Sequence, residues 1–153
     1  MENKTNTQFR VSKEDTFMEV ARVFSLRSTC LRKKVGAVLV DRNNQYILSS
    51  GYNGAPTGVV SCQEKGACYR MEHNIPSGER YELCKSLHSE SNAIMQVGIK
   101  NTEGCYLYVY GHSFICMMCA RMIIQAGIKH IFIKENESSP IKEISVDELK
   151  ASL

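Results

Sequence analysis

Residues 88–134 read HSESNAIMQVGIKNTEGCYLYVYGHSFICMMCARMIIQAGIKHIFIK, and their pattern predicts two helix–strand units. The apolar spacing over Ser89–Val97 predicts a helix, and the run over Cys105–Tyr110 predicts a strand. A second helix is predicted over Cys116–Ala126 and a second strand over Ile128–Ile133. Helix and strand alternate here, which is typical of a sheet that carries helices on its faces.

The residues on either side predict two more helices and a hairpin. From Ser12, a favourable N-cap residue, apolar side chains recur at helical spacing. The buried run Val35–Val40 and the run Tyr46–Ser50 flank a polar turn, which predicts two paired strands. The sequence SVDE at 145–148 has the capping-box pattern that opens a short last helix. The predicted order, α-β-β-loop-α-β-α-β-α, gives an α/β fold with a mixed sheet.

Length and composition indicate one domain over residues 1–153. Within it we expect a loose tail over residues 1–11 and a long insert loop over residues 53–87. Apolar residues make up 43% of the chain, but no run approaches the length of a transmembrane helix, so no membrane association is expected. A formal net charge of +3, evenly spread, argues against a polynucleotide partner.

The seven cysteines are the unusual feature of the composition. Their odd number argues against a disulfide framework. The polar segment Met1–Arg10 lacks the apolar core of a secretory signal, so we expect a reducing, cytoplasmic location. In that compartment, clustered cysteines indicate metal ligands or catalytic groups more often than bridges.

Two short motifs in the opening stretch predict one metal centre. His88-Ser89-Glu90 begins one helix, and Cys116 and Cys119 begin the next with C-x-x-C spacing. Side chains three apart share a helix face, and the positive helix end favours thiolates. Three protein ligands, His88, Cys116 and Cys119, leave one tetrahedral position open for water, as in catalytic zinc sites. Glu90 then remains as the general acid and base.

Each motif also has an interpretation that does not involve a catalytic zinc site. A lone C-x-x-C occurs by chance or as a redox pair, but a redox pair follows the first strand of its βαβ unit and leaves the H-x-E unexplained. A purely structural zinc needs a fourth protein ligand and gives Glu90 no task. The remaining histidines are expected on the surface or in loops: His73, His112 and His130.

Beyond the metal motif, the chain resembles the deoxycytidylate (dCMP) deaminases of the cytidine deaminase superfamily. The similarity covers roughly residues 15–134 and includes STCLRKKVGAVLV (28–40), GYNGAPTG (51–58), IPSGERYELC (75–84) and CARMIIQAGIKHI (119–131). The resemblance implies a three-layer α/β/α sandwich and zinc-dependent hydrolysis of dCMP to dUMP and ammonia. It also implies a homo-oligomer, with dCTP and dTTP as regulators.

The resemblance implies substrate-binding residues as well. Asn53 of the GYNG motif would contact the nucleotide, and Ser89 is counted with it. Arg27 and Ser28 lie where the family gathers groups near the sugar and phosphate. Two departures stand out: Ser89 replaces the usual Ala, and Ile115 replaces the usual Pro before C-x-x-C, in a longer YGHSFIC connection. The second departure bears on the wall against which the base stacks.

Other functions stay open at this point. A tRNA adenosine deaminase has the same motif but a short link before H-x-E, whereas the long link here would obstruct a polynucleotide. A nucleoside deaminase lacks the GYNGAP match. An inactive zinc-binding homologue is the remaining alternative, because of the unusual residues around Ile115.

Four further cysteines suggest a second, structural zinc site: Cys30, Cys62, Cys68 and Cys84. The resemblance places Cys30 and Cys62 where some relatives have ligands of a second zinc. Cys68 and Cys84 are added from their position, since a long loop with little apolar content needs another organiser. The alternative is four separate buried or loop thiols.

Overall fold

The structure is a computed structural model that describes residues 10–153. The tail predicted over residues 1–11 therefore lies outside the described residues, apart from its last two. The strands are β1 (Gly36–Val40), β2 (Ile47–Tyr52), β3 (Tyr106–Tyr110), β4 (His130–Lys134) and β5 (Lys142–Ile144). The helices are α1 (Lys13–Ser25), α2 (Cys62–Lys65), α3 (Tyr69–Glu72), α4 (Ser89–Val97), α5 (Met117–Gln125) and α6 (Val146–Ala151). Two 3₁₀ turns span Tyr81–Leu83 and Ile99–Asn101.

The five strands form one mixed sheet in the order β2-β1-β3-β4-β5. Strands β3 and β4 pair in parallel, connected through α5, and the other pairs are antiparallel. This confirms the predicted mixed sheet. Strand β5 was not predicted, because it has only three residues and two of them are exposed, which leaves no apolar alternation in the sequence.

Alternate side chains of the central strands feed two separate cores, one on each face of the sheet. Helix α1 covers one face, where Phe17, Met18 and Ala21 pack with Val38, Val40 and Tyr108. Helices α4, α5 and α6 cover the other face, over a larger core. Representative members of that core are Leu39, Leu107, Val109, Ala93, Ile123 and Leu149. The two cores confirm the α/β/α sandwich.

The helix starts follow the capping chemistry of the sequence. Ser12 precedes α1, and its Oγ accepts a hydrogen bond from the Asp15 backbone N–H at 3.0 Å. Ser145 does the same for Glu148 at the start of α6, also at 3.0 Å. Caps of this kind contribute about 1 kcal/mol each. None of the helices within residues 10–153 is long and apolar enough to cross a membrane.

The insert between β2 and α4 is closed at its base by a two-way hydrogen bond. The Leu87 N–H donates to Gly54 O at 2.8 Å, and the Gly54 N–H donates to Leu87 O at 3.1 Å. The residues between them were expected to lack structure, but α2, α3 and a 3₁₀ turn lie there. Helix α2 begins with a complete capping box between Ser61 and Glu64, which the sequence reading overlooked.

One edge of the sheet collects the chain segments that matter for function. In the register, Gly36 at the start of β1 lies opposite Tyr52 of β2 and Tyr110 of β3. The beginning of β1 and the carboxyl ends of β2 and β3 therefore meet at this edge. Helix α4 follows β2 after the insert, and α5 follows β3 after a short turn, so the H-x-E and C-x-x-C motifs at their starts both follow from this edge.

Candidate metal centre and active site

His88, Cys116 and Cys119 converge on one point. Cys116 Sγ lies 3.3 Å from His88 Nδ1, and Cys119 Sγ lies 3.4 Å from the same nitrogen. Among residues 10–153, this is the one set of three or more potential ligand residues whose ligand atoms all lie within 4.8 Å of one another. The predicted ligand set is therefore brought together by the fold.

Two helix ends hold the three side chains. His88 occupies the N-cap position of α4, and Cys116 occupies that of α5, where its sulfur accepts a hydrogen bond from the Cys119 N–H at 3.4 Å. Around a tetrahedral zinc with normal bond lengths, a ligand nitrogen and sulfur stand about 3.6 Å apart. The observed spacings are close to that value, and two sulfurs with one imidazole are ligands that zinc prefers, so the residues fit the metal.

The electrostatics of the group favour a thiolate at Cys116. Hydrogen bonds from Cys119, and then from His88, hold the pKa of the Cys116 thiol well below its ordinary value. Cys119 acts as the donor of the pair, and its own pKa is raised. Burial opposes the charge of His88, but the hydrogen bond with Cys116 and the charge of Glu90 raise the His88 pKa.

Glu90 lies next to this group and is almost completely buried, with 5% of its surface exposed. The Ser89 hydroxyl donates a hydrogen bond to Glu90 Oε2 at 2.9 Å. Burial raises the pKa of the Glu90 carboxyl, while His88 and the hydrogen bond from Ser89 act in the opposite direction. A raised pKa brings a carboxyl closer to the range in which it can both accept and donate a proton.

A cavity opens above the metal ligands and is walled by three parts of the chain. The edge of the sheet supplies Val35 and Asn53, and the insert supplies Ser77 and Tyr81. The turn before α5 supplies His112 and Phe114, whose rings meet edge to face with centroids 4.3 Å apart. Glu90, His88 and Cys116 line the same cavity, so the carboxyl group and two of the three candidate ligands face whatever enters it.

The substrate-binding residues implied by the resemblance divide into two pairs. Asn53 and Ser89 line the cavity. The Asn53 amide also ties the edge together, because its Oδ1 accepts from the Val35 N–H at 2.9 Å and its Nδ2 donates to Lys33 O at 2.7 Å. Ser28 is buried behind Asn53, where its hydroxyl donates to Asn53 O at 2.9 Å.

Arg27 is not among the residues of the cavity wall. Its guanidinium lies 6.0 Å from the ring centre of Tyr52, and its side chain is exposed. The structure therefore brings Asn53 and Ser89 to the metal centre but leaves Arg27 outside the cavity and Ser28 behind its wall.

The four cysteines of the expected second zinc site share one neighbourhood but do not form a closed group. Cys30 and Cys84 line the main cavity, and Cys62, Cys68 and Cys84 line a second one beside the insert. Burial, and then the charges of the other three thiols, raise the pKa of Cys62. Within the described chain, their sulfurs are not among the sets that lie within 4.8 Å of one another.

Several residues of the cavity wall were not predicted from the sequence. His112 lies in a loop, as expected, but it also lines the cavity, and its Nδ1 is buried without a hydrogen-bond partner in residues 10–153. Burial, and then the charge of Lys33, lower the His112 pKa to about 4. Arg32, Lys33 and Arg70 also line the wall. Arg32 and Lys33 lie inside the STCLRKKVGAVLV block, which was the available signal for them.

Together, the α/β/α sandwich and the buried His–Cys–Cys group beside a glutamate define a zinc-site domain of the deaminase type. A family profile described as "Cytidine and deoxycytidylate deaminase zinc-binding region" matches residues 11–135. The chain belongs to this family. The match covers the sheet from β1 to β4 and every candidate ligand residue named above.

Several proteins similar to this chain are deoxycytidylate deaminases by name. The chain is 36% identical over 124 residues to "Deoxycytidylate deaminase" of Schizosaccharomyces pombe, covering 81% of this chain and 37% of that protein. It is 31% identical to "Deoxycytidylate deaminase" of Mycobacterium phage D29, covering 77% of this chain and 91% of the phage protein. The chain spans less than two thirds of some relatives, including 61% of "ComE operon protein 2" of Bacillus subtilis.

Two solved structures of a dCMP deaminase are similar to this chain. The dCMP deaminase of cyanophage S-TIM5 in its apo form has a TM-score of 0.60 and 28% identity, with 90% of each chain covered. The same phage protein in complex with dCMP and dUMP has a TM-score of 0.57 and 31% identity, covering 78% of this chain and 79% of that one.

Proposed function

We propose that this chain catalyses the hydrolytic deamination of dCMP to dUMP and ammonia. One observation carries the proposal: a buried glutamate, Glu90, shares a cavity with a His–Cys–Cys group that fits zinc. The comparisons support the substrate, because relatives carry the name deoxycytidylate deaminase and one solved relative was captured with dCMP and dUMP.

The residues divide the chemistry among them. When bound, zinc at such a centre supplies a Lewis acid that makes water a competent nucleophile near neutral pH. Glu90 accepts the proton released by the attacking water at a carboxylate oxygen. It passes this proton to ring nitrogen N3, then accepts the proton of the new C4 hydroxyl and delivers it to the departing 4-amino group, as in other zinc deaminases. A C4–O bond forms and the C4–N bond breaks; N3 keeps the first proton in the product, and ammonia leaves with the second.

The surrounding side chains position the reaction. Ser89 donates to Glu90 Oε2, which leaves Oε1 as the oxygen available for proton transfer. The apolar and aromatic wall, including Val35, Phe114 and Tyr81, excludes bulk water and gives the pyrimidine ring faces to pack against. Asn53 is proposed to contact the nucleotide with its remaining hydrogen-bonding capacity.

The shape of the site argues for a small nucleotide over a tRNA. Insert residues Arg70, Ser77, Tyr81 and Cys84 form part of the cavity wall, so the insert lies over the space where a polynucleotide would enter. A tRNA adenosine deaminase is therefore the second candidate only because the metal motif is shared. An inactive homologue is disfavoured because Glu90 and all three ligand residues are present and correctly grouped.

Three further expectations remain predictions. A homo-oligomeric state and regulation by dCTP and dTTP rest on the resemblance, and a cytoplasmic location rests on the odd number of cysteines and the polar N-terminal segment. The exposed apolar side chains on and beside edge strand β2, namely Tyr46, Ile47 and Leu48, are compatible with a contact between copies.

An ammonia-release screen tests the proposal. Zinc-loaded protein is assayed with dCMP, CMP, deoxycytidine, dCTP and a tRNA anticodon stem-loop at equal concentration. The expected order is dCMP first and CMP second, with dUMP confirmed as the product by chromatography. Deamination of the stem-loop alone would favour the tRNA enzyme, and no turnover of any compound would favour the inactive homologue.

A further inference from the structure

The cavity wall carries a surplus of positive charge. Among the described residues that line it, Arg32, Lys33 and Arg70 are cationic and Glu90 is the acid. Arg32 and Lys33 are half-buried, but Arg70 is only 6% exposed. Arginine is almost never buried without a partner, because removing its charge from water costs several kcal/mol.

The partners of Arg70 are neutral. Its Nε donates to Glu79 O at 3.0 Å, and its Nη2 donates to Pro76 O at 3.2 Å. No carboxylate in residues 10–153 forms an ion pair with it. The charge of Arg70 reaches Glu82, where it helps Arg80 to lower the pKa, but Glu82 forms its ion pair with Arg80. Its Nη1 makes no hydrogen bond within the described chain. Arg70 is thus a buried cation that is held in place and still has a donor to offer.

The Tyr81 ring lies between Arg70 and His88 of the metal centre. The guanidinium carbon lies 4.6 Å from the centre of the Tyr81 ring, and the His88 ring meets Tyr81 edge to face at 4.7 Å. Arg70 is therefore within about 9 Å of the His88 ring. In a cytosine nucleotide, the amino-bearing carbon and the 5′-phosphorus are separated by a path of short bonds that spans roughly 8 Å. A nucleotide with its reacting carbon beside His88 can therefore place its phosphate within reach of Arg70.

We propose that Arg70 is the residue that recognises the 5′-phosphate of the substrate. The inference rests on the proposed function, which places a cytosine ring beside Glu90. With the base there, the phosphate lies next to the free Nη1 donor and supplies the anion that the buried guanidinium lacks. Arginine binds phosphate oxygens through directed, charge-assisted hydrogen bonds, and contacts of this kind reject analogues that lack the phosphate.

Steady-state kinetics with two substrates test this assignment. Wild type, Arg70→Gln and Arg80→Gln are compared on dCMP and on deoxycytidine, which lacks the phosphate. Arg80→Gln removes an exposed arginine of the same insert and is the matched control. Arg70→Gln is expected to lower kcat/KM for dCMP by on the order of 10- to 100-fold, mainly through KM, and to change deoxycytidine turnover by less than about 3-fold. The control is expected to resemble wild type on both.

Equal losses on both substrates would overturn the proposal, because Arg70 would then serve only to hold the backbone of residues 76–79. Should Arg70→Gln fail to fold, Arg70→Lys keeps the charge but not the two-carbonyl geometry, and the same comparison applies. It is expected to weaken dCMP selectively. Equal weakening of deoxycytidine by Arg70→Lys would count against the assignment in the same way.

A binding measurement separates this inference from the proposed function. Calorimetric titration with dUMP and with deoxyuridine needs no turnover. Wild type is expected to prefer dUMP, and Arg70→Gln or Arg70→Lys is expected to lose that preference. If wild type deaminates nothing yet keeps an Arg70-dependent preference for dUMP, the proposed reaction fails and the phosphate assignment stands. No preference for dUMP in wild type would overturn the assignment itself.

Discussion

At the scale of single residues, Glu90 is the clearest test of the chemistry. The Glu90→Gln variant keeps the shape and the hydrogen bond from Ser89 but cannot accept a proton. We expect kcat for dCMP to fall by at least about 10²- to 10⁴-fold, the usual contribution of a general acid–base group. Zinc content, measured by elemental analysis, is expected to stay at the wild-type value because Glu90 is not a ligand. Normal turnover, or loss of the metal, would show that the role is misassigned.

Tyr108 offers a second residue-level prediction, on stability and pH. Its side chain is fully buried, its hydroxyl donates to Asn44 Oδ1 at 2.9 Å, and burial raises its pKa to about 12. Below pH 10, both the folded and unfolded chains keep the phenol proton. Between about pH 10 and 12, only the unfolded chain loses it, so the free energy of unfolding falls by about 2 to 3 kcal/mol across this window.

The Tyr108→Phe variant removes this titration. Its unfolding free energy, measured by urea titration at several values between pH 9 and 11.5, is expected to fall less steeply than that of wild type. The variant is also expected to be about 1 kcal/mol less stable near pH 7, because the hydrogen bond is lost. Tyr46→Phe, at a 70% exposed position, is the control and should keep the wild-type slope. Parallel curves for Tyr108→Phe and wild type would contradict the argument.

The site residues that could be predicted from the sequence are those that lie only two or three positions apart along the chain. His88 and Glu90, or Cys116 and Cys119, are close along the chain and sit at helix starts, so a motif predicts both their roles and their grouping. Arg70 and His112 could not be found that way. Their placement depends on contacts with residues distant in sequence or on the path of an irregular turn, and neither leaves a periodic pattern.

At the scale of elements, helix starts and buried strands were predictable because capping residues and apolar runs act locally. Helix α4 has the predicted bounds, and β3 and α5 differ by one residue at their ends. The insert was predicted as a loop because helices α2 and α3 have four residues each, too short for periodicity. The capping box of Ser61 and Glu64 was a local signal for α2, whereas Cys68 before α3 makes no side-chain capping hydrogen bond.

The cysteines of the insert carry the element-level prediction. A second zinc would have to draw the four sulfurs of Cys30, Cys62, Cys68 and Cys84 into one tetrahedron, which would tie α2 and α3 to the end of α1. We expect two zinc ions per chain in carefully purified protein, falling to one in Cys68→Ser. Cys105→Ser, in the core beneath β3, is the matched control and should keep both ions.

A single outcome would exclude this second site. If elemental analysis finds one zinc per chain and the four thiols all react with a thiol reagent after mild unfolding, they are separate cysteines. Within residues 10–153 the fold does not bring any three of these sulfurs within 4.8 Å of one another as it does the ligand atoms of His88, Cys116 and Cys119, so the zinc count discriminates between the two possibilities.

At the scale of the whole molecule, the sandwich follows from the order of its elements. The metal centre follows from the sheet edge at which β2 and β3 end, because α4 and α5 begin beside it. A hairpin followed by alternating helix and strand allows few arrangements of a mixed sheet. The position of the insert over the cavity is different, because it depends on long-range contacts. Phe114 illustrates this: a side-chain carbon on Gly78 would lie 3.3 Å from the Phe114 ring, so the insert and the turn before α5 meet closely.

The hydrogen-bonded pair Gly54–Leu87 makes the insert a ring of chain with a fixed neck. Lengthening or shortening such a ring changes its closure entropy only slowly, by about 0.6 kcal/mol for each doubling of length. Residues within the ring still contact the site, because Tyr81 meets the His88 ring edge to face at 4.7 Å and Ile75 O accepts a hydrogen bond from Arg32 Nη1 at 2.7 Å. An exchange of residues 55–86 therefore has to keep these two contacts, whereas the length of the rest of the ring can vary at little entropic cost.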